Sequence, residues 1–397
     1  MANNHLTNAK RAKNDEFYTQ YGDIQKEIEA YLEYNPDVFR GKVVYCNCDD
    51  PFESNFFRYF VLNFHRLGLK QLITTSYKPS PVANTQLELF ADEKTPVKSK
   101  GRPKVTANKF IINQVHDIDG DGEFNLKDVA KQLKANKHNE WEPLKGDGDF
   151  RSDECINLLK RSDIVVTNPP FSLFREYVKQ LFDYNKKFVI IGSKNAITYK
   201  EIFPLIKNDK LWTGVTGFSK DMLFIAPAEA DLSDKPKTAL RSVDGITYLR
   251  SPSVWFTNLD HGRRHQPLPL MTMRENLKYS KHEEIKEKKA YDKYDNYDAI
   301  EVPFTDSIPS DYNGVMGVPI SFLDKYSPEQ FEIIGMCENE DLYKLKTKVY
   351  TTVECKQAYW DKFERKGTYD LNASGVIIQN GLMEKVYQRV LIKHRKK

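Results

Sequence analysis

A chain of 397 residues, 40% of them apolar, is long enough for two domains, or even three, each with a buried core. With 29% charged residues and no apolar run of about 18, a helical membrane span is excluded. The first ten residues carry no apolar signal core, so the expected location is the cytoplasm, with no membrane partner.

A formal net charge of +4 is mild, and its placement says more than its size. Basic clusters stand at Lys10-Arg11-Ala12-Lys13, at 98–104, at Arg263-Arg264 and at 393–397, a spread that suits contact with a polyanion or plain solvation. Five cysteines, at 46, 48, 155, 337 and 355, form no paired pattern and have no His/Cys partners at zinc spacing. They read as free thiols.

Apolar spacing predicts a helix over 24–34, a buried strand over 42–48, a helix over 53–67 and a second strand over 71–76. Residues 78–106 then turn to Pro, Lys, Thr, Ser and Asp, which predicts a flexible insertion. Within it, Gly101-Arg102-Pro103-Lys104 resembles a minor-groove hook. Strand character resumes over 110–115. The following loop, 117–128, sets carboxylates at positions 1, 3, 5 and 12 and glycine at position 6, a calcium-loop spacing. Asp128 is short for a bidentate ligand, however, and the preceding segment reads as strand, so a Gly/Asp turn opening a helix over 128–134 competes with it. No metal site is assigned. Another helix is predicted over 153–160.

Residues 163–171 read Asp-Ile-Val-Val-Thr-Asn-Pro-Pro-Phe. Four β-branched apolar-to-polar residues make a buried strand, and Pro169-Pro170 must end it, because proline cannot donate to a ladder. Asn168 then stands where open α/β sheets place ligands, with the ring of Phe171 just beyond. An amide acceptor, a stiff turn and an aromatic face suit a planar, amine-bearing group. A helix over 173–184 and a strand over 188–192 follow.

Strands alternating with helices predict an α/β fold with a doubly wound, mainly parallel sheet. From about residue 210 the pattern changes to short strands, over 212–218, 222–225, 247–249 and 254–258, which predicts a mixed, β-containing C-terminal region. The division expected is 1–208 and 209–397. Dense alternating charge over 279–297 predicts a solvated segment or mobile arm. Donors bunched beside the turn at Gly262 make His261, Arg263 and Arg264 candidate DNA contacts, to a base edge or to phosphate.

Asn168-Pro169-Pro170-Phe171 resembles the catalytic tetrapeptide of amino-methyltransferases that use S-adenosylmethionine. Together with Asp15-Glu16-Phe17-Tyr18-Thr19-Gln20, Val43-Val44-Tyr45-Cys46-Asn47-Cys48-Asp49-Asp50-Pro51, Asn258-Leu259-Asp260-His261 and Gly314-Val315-Met316-Gly317-Val318-Pro319, it resembles the EcoRI-type adenine-specific (N6) DNA methyltransferases over about residues 13–335. The resemblance implies a Rossmann-like catalytic domain over 1–208, a target-recognition region over 209–397, and methyl transfer to an adenine flipped out of double-stranded DNA. It implies S-adenosylmethionine as cofactor, with Tyr18, Thr19, Asn47, Cys48, Asp49 and Asp50 near its methionine end and Asp149-Phe150 at its adenine. Asn168, Pro169, Pro170 and Phe171 would be catalytic. The partners implied are DNA and, functionally, a cognate restriction endonuclease, with the protein a monomer. The chain departs from the general methylase pattern in two places: no glycine lies within 46–55, and 74–77 offers no carboxylate for ribose hydroxyls. The tetrapeptide alone is shared with methylases of RNA adenine and of protein glutamine, and the missing glycines keep open a DNA-binding protein without cofactor affinity.

Overall fold

The computed structural model describes residues 18–48, 54–77, 107–118, 120, 124–135, 138–226, 232–233, 235–286 and 288–395. The chain forms two compact units, one of Met1–Ile206 and Lys210–Gly262, the other of Lys207–Asp209 and Arg263–Lys397.

In the first unit the buried, β-branched runs pair into an eight-stranded sheet. Its strands are β2 (Val43–Cys46), β3 (Gln71–Thr75), β4 (Asn108–Ile112), β5 (Glu140–Pro143), β6 (Ile164–Thr167), β7 (Lys187–Ser193), β8 (Trp212–Thr213) and β12 (Ser253–Thr257), in the order β5-β4-β3-β2-β6-β7-β12-β8. The four central strands, β3, β2, β6 and β7, are mutually parallel, so their carboxyl ends share one edge. Both flanks are antiparallel. A mainly parallel sheet was the expectation; parallelism is confined to the centre, because β4 and β12 each run back along a neighbour.

Alternate strand residues face opposite sides. Val44, Cys46, Val166, Val189 and Ile191 share one core with Ile24, Ile28 and Tyr31 of α1 (Tyr21–Tyr34) and with Phe56, Phe57 and Phe60 of α2 (Asn55–Leu62). The helix predicted over 53–67 is broken at Asn63 and resumes as α3 (Phe64–Leu67), which ends on a left-handed Gly68. Further along come α4 (Leu126–Ala135), α5 (Asp153–Arg161), capped by Ser152 accepting from the Cys155 amide, and α6 (Phe174–Asp183).

A second sheet in this unit joins β1 (Tyr18–Thr19), β9 (Met222–Ile225), β10 (Leu240–Val243) and β11 (Ile246–Ser251), in the order β1-β9-β11-β10. The boundary expected near 208 lies at Gly262 instead. Strands β8 and β12 complete the large sheet, and β9 pairs with the N-terminal β1.

The second unit holds a sheet of β13 (Ala299–Glu301), β14 (Val315–Pro319), β15 (Phe331–Met336) and β18 (Arg389–His394), in the order β13-β14-β18-β15, and a hairpin of β16 (Val376–Gln379) and β17 (Leu382–Lys385). The segment 279–297 is not a solvated arm. Its described charged residues are exposed or half-buried while Tyr291, Tyr294 and Tyr297 are buried, and Tyr294 and Tyr297 join the core of this unit. Glu301 and Arg389 form a buried pair, Nε to Oε1 at 3.0 Å, with Tyr294 also donating to Glu301. No described helix is long and apolar enough to cross a membrane.

Candidate active site

Strand β6 delivers Asn168 to the edge where the parallel strands end, and Pro169-Pro170 turn the chain there. Phe171 opens a 3-10 turn, Phe171–Leu173, in which the Leu173 amide donates to the Pro170 carbonyl at 3.0 Å, and α6 follows directly. The neighbouring strand end is tied in through Asn47. Thr167 Oγ1 donates to the Asn47 carbonyl, and Tyr177 Oη of α6 donates to Asn47 Oδ1. One buried asparagine thus fixes the ends of β2 and β6 and the helix that follows.

Asn168 and Phe171 line a cavity of about 300 Å³. Its apolar walls are Phe224 of β9, Leu249 of β11, and Pro236, Ala239 and Pro252; Lys235, Arg250 and Ser251 supply polar atoms. Thr19 is the register partner of Phe224, and the Thr19 carbonyl accepts from Asn55 Nδ2 at 2.8 Å. The turn after Asn47 puts Cys48 at φ 62°, in the left-handed region. Across the edge, the loop before α5 presses on the end of β3: Gly148 stands at φ 79°, and a methyl there would collide with the Ser76 carbonyl. Such an arrangement, an amide acceptor and a ring in an apolar pocket, has the chemistry to hold a flat amine by its NH₂ and its face.

The family profile described as adenine-specific methyltransferase EcoRI matches residues 5–395. The chain belongs to that family. It is 46% identical to the type II methyltransferase M.EcoRI of Escherichia coli over 338 residues, 85% of this chain and 90% of the relative. It is 37% identical to the type II methyltransferase M.MpnI of Mycoplasma pneumoniae over 87% of this chain and 90% of that one. To M.MgeORF184P of Mycoplasma genitalium it is 35% identical, over 87% and 91%. No solved structure matches. The protein is therefore an enzyme, a DNA adenine methyltransferase of the restriction–modification type.

In this methyltransferase the predicted residues part into two groups. Asn168, Pro169, Pro170, Phe171, Asn47, Cys48, Tyr18 and Thr19 gather around the carboxyl edge of β2 and β6 or in β1 beside the cavity wall. Asp49 and Asp50 lie outside the described residues, as do the insertion 78–106 with Arg102 and the clusters at 10–13 and 98–104. Asp149 and Phe150 reach the same edge but are engaged with protein. Phe150 is buried edge-on to Tyr177, with ring centres 5.0 Å apart, and Asp149 is clamped by Arg151 at 2.6 and 2.9 Å. Burial pushes the Asp149 carboxyl up, but the Arg151 bonds outweigh it and hold it below the usual range.

The 258–265 block lies elsewhere. Because β12 runs antiparallel to β7, its end falls at the amino edge of β7, opposite Asn168. There Asn258 accepts from the Phe188 amide at 2.8 Å and donates to the Lys186 carbonyl at 2.9 Å, as a clip. His261 is buried edge-on to Tyr31, its Nε2 3.0 Å from the Thr213 carbonyl. In the second unit Arg264 is buried on Asp209, and Arg263 pairs with Asp324 at 2.8 Å. A groove contact by His261 or Arg264 is corrected by this burial; both side chains serve the interior.

The calcium-like loop also resolves in part. Asp128 is buried and caps the loop, accepting from the Ile118 amide at 3.0 Å and the Asn125 amide at 2.9 Å, while Asp119, Asp121 and Glu123 lie outside the described residues. Sequence reasoning missed the whole cavity wall, Phe224, Lys235, Leu249 and Arg250. The one signal available was the crowding of aromatic and basic residues after 210.

Proposed function

We propose that the cavity beside Asn168 receives an adenine flipped out of duplex DNA, and that its N6 amine is methylated there with S-adenosylmethionine as donor. The observation carrying this reading is that Asn168 and Phe171 share one apolar-walled cavity at the carboxyl edge of the parallel strands. Asn168 Oδ1 and the Pro169 carbonyl accept from the amine, which favours a more tetrahedral nitrogen and frees its lone pair for attack. Phe171 stacks on the ring, returning about 1–3 kcal/mol of the few kcal/mol that flipping costs. After transfer the amine proton leaves to water, so no strong base is needed.

The cofactor fits the residues present. Thr19 Oγ1 is buried and has no hydrogen-bond partner among the described residues, one ladder position from the cavity wall. Thr19, Asn47 and the left-handed turn at Cys48 would hold the amino-acid end. When bound, the cofactor supplies the electrophilic methyl on sulfur. The finer architecture is read as a doubly wound, Rossmann-like domain, with the second unit serving target recognition. The enzyme acts as a monomer and protects sites that a cognate endonuclease would cut.

The test is Asn168→Ala. Transfer should fall about 10²–10³-fold, by analogy with loss of an oxyanion-hole donor, while cofactor and DNA binding persist. Turnover above a third of wild type would refute the assignment, and loss of cofactor binding in the wild-type titration would refute the donor.

A further inference from the structure

Arg250 stands on β11 between Leu249 and Ser251, and all three line the Asn168 cavity. Its side chain is 64% exposed, at the mouth rather than in the apolar interior. It is nonetheless aimed. Asp221 Oδ2 accepts from Arg250 Nε at 2.8 Å, and Asp221 Oδ1 accepts from Lys194 Nζ at 2.9 Å. Lys194 Nζ is spent further on the Phe218 and Lys220 carbonyls, at 2.6 and 3.0 Å, and its amide donates to the Pro252 carbonyl at 2.8 Å. The Lys194 ammonium, with Arg250, holds the Asp221 carboxyl below the usual range against the opposing effect of burial. Among the described residues the Arg250 Nη1 and Nη2 groups have no protein partner.

We propose that Arg250 binds the DNA backbone phosphate next to the flipped adenine, and that Asp221, held by Lys194, is the positioning residue that turns the guanidinium fork toward it. The inference rests on the reading of the cavity as the adenine site. A guanidinium whose Nε is engaged presents its two Nη groups as a fork, which matches two phosphate oxygens. The cluster of Lys194, Asp221 and Arg250 carries one net positive charge at the cavity. A flipped base enters the pocket while its own phosphates stay at the mouth, where Arg250 is. Arginine reading of guanine belongs to the major groove, away from an extruded nucleotide.

The experiment uses the full chain and a duplex carrying the site mapped by methylation-sensitive sequencing. Dissociation constants are measured over a salt series for wild type, Arg250→Ala, Arg250→Lys and Asp221→Asn. Each phosphate around the target adenine is replaced in turn by uncharged methylphosphonate. Arg250→Ala should bind about tenfold more weakly, with a salt slope lower by about one. One methylphosphonate beside the target should weaken wild type similarly and Arg250→Ala no further. Asp221→Asn should keep the slope and lose affinity only for duplexes retaining that phosphate, a dependence that a general loss of stability would not give.

An unchanged slope in Arg250→Ala, or equal losses in wild type and variant at every linkage, overturns the proposal. If Arg250→Ala fails to fold, Arg250→Lys and the wild-type scan decide: no sensitive linkage beside the target overturns it. Asn168→Ala separates the two readings. Should it still transfer methyl while Arg250 gives the phosphate signature, the catalytic assignment fails and the phosphate contact stands.

Discussion

Glu27 is a carboxyl buried in the core of the first unit, on the same face of α1 as Ile24, Ile28 and Tyr31. It accepts from Tyr31 Oη at 2.9 Å and from the Val215 amide at 3.1 Å, and so ties α1 to the turn after β8. Burial lifts its pKa from 4.5 to about 7, against the lowering effect of these bonds. The folded state therefore holds this proton more tightly than the unfolded state. Its stabilising contribution is complete below about pH 4.5 and is lost as pH rises to about 7. At about 1.36 kcal/mol per pH unit, a rise from 4.5 to about 7 amounts to about 3 kcal/mol. Glu27→Gln removes the titration and leaves the shape. The urea-unfolding free energy of wild type minus that of Glu27→Gln should fall by about 3 kcal/mol between pH 4.5 and 8, with most of the change between 5 and 7. Taking the difference cancels the other carboxylates, such as Asp149 and Asp221, whose lowered pKa values act with the opposite sign and at lower pH. A difference that is flat across this range, or one that grows with pH, would refute the reasoning.

Phe171→Ala should cost methyl transfer about 1–3 kcal/mol on paired DNA and less on a mispaired target adenine, in single-turnover assays; equal losses would make Phe171 a core residue only. Gly148→Ala should destabilise the fold by at least about 1–2 kcal/mol in thermal unfolding, because a side chain at φ 79° is strained and its methyl meets the Ser76 carbonyl. Arg389→Ala should cost about 3–5 kcal/mol in urea unfolding, since it leaves Glu301 buried without its cation; a loss under 1 kcal/mol would mean that Glu301 is reached by water.

The strand end and turn at Asn168–Phe171 were legible because their signals are local: a β-branched run, two prolines that stop it and an amphipathic helix after it. The central strands were legible for the same reason. What the sequence hid is long-range. Phe224 and Leu249 reach the cavity of Asn168 because β9 pairs with β11 and also with β1, the latter some two hundred positions away, a pairing that no short window carries. Arg264 read as a candidate DNA contact, to a base edge or to phosphate, because its carboxylate, Asp209, lies 55 positions away and outside any short window. Over 279–297 the count of charges concealed a tyrosine stripe that is the part doing the packing. Where β12 ends was equally hidden, since its antiparallel direction carries Asn258 to the edge opposite the cavity.

The missing glycines after β2 bear on function in the same physical terms. A glycine there would make the left-handed turn without strain; this chain makes the turn with Cys48, at φ 62°. A β-carbon in that region costs about 1–2 kcal/mol, so the surroundings must hold it. They do so one residue earlier, where the Asn47 carbonyl is bound by Thr167 and its side chain by Tyr177. Both partners flank the tetrapeptide, one before Asn168 and one after Phe171. The strand end proposed to meet the cofactor and the strand end proposed to meet the adenine are therefore braced by the same asparagine. The absence of glycine is then no argument for a lost cofactor site, because the backbone shape that glycine usually permits is present and held in place.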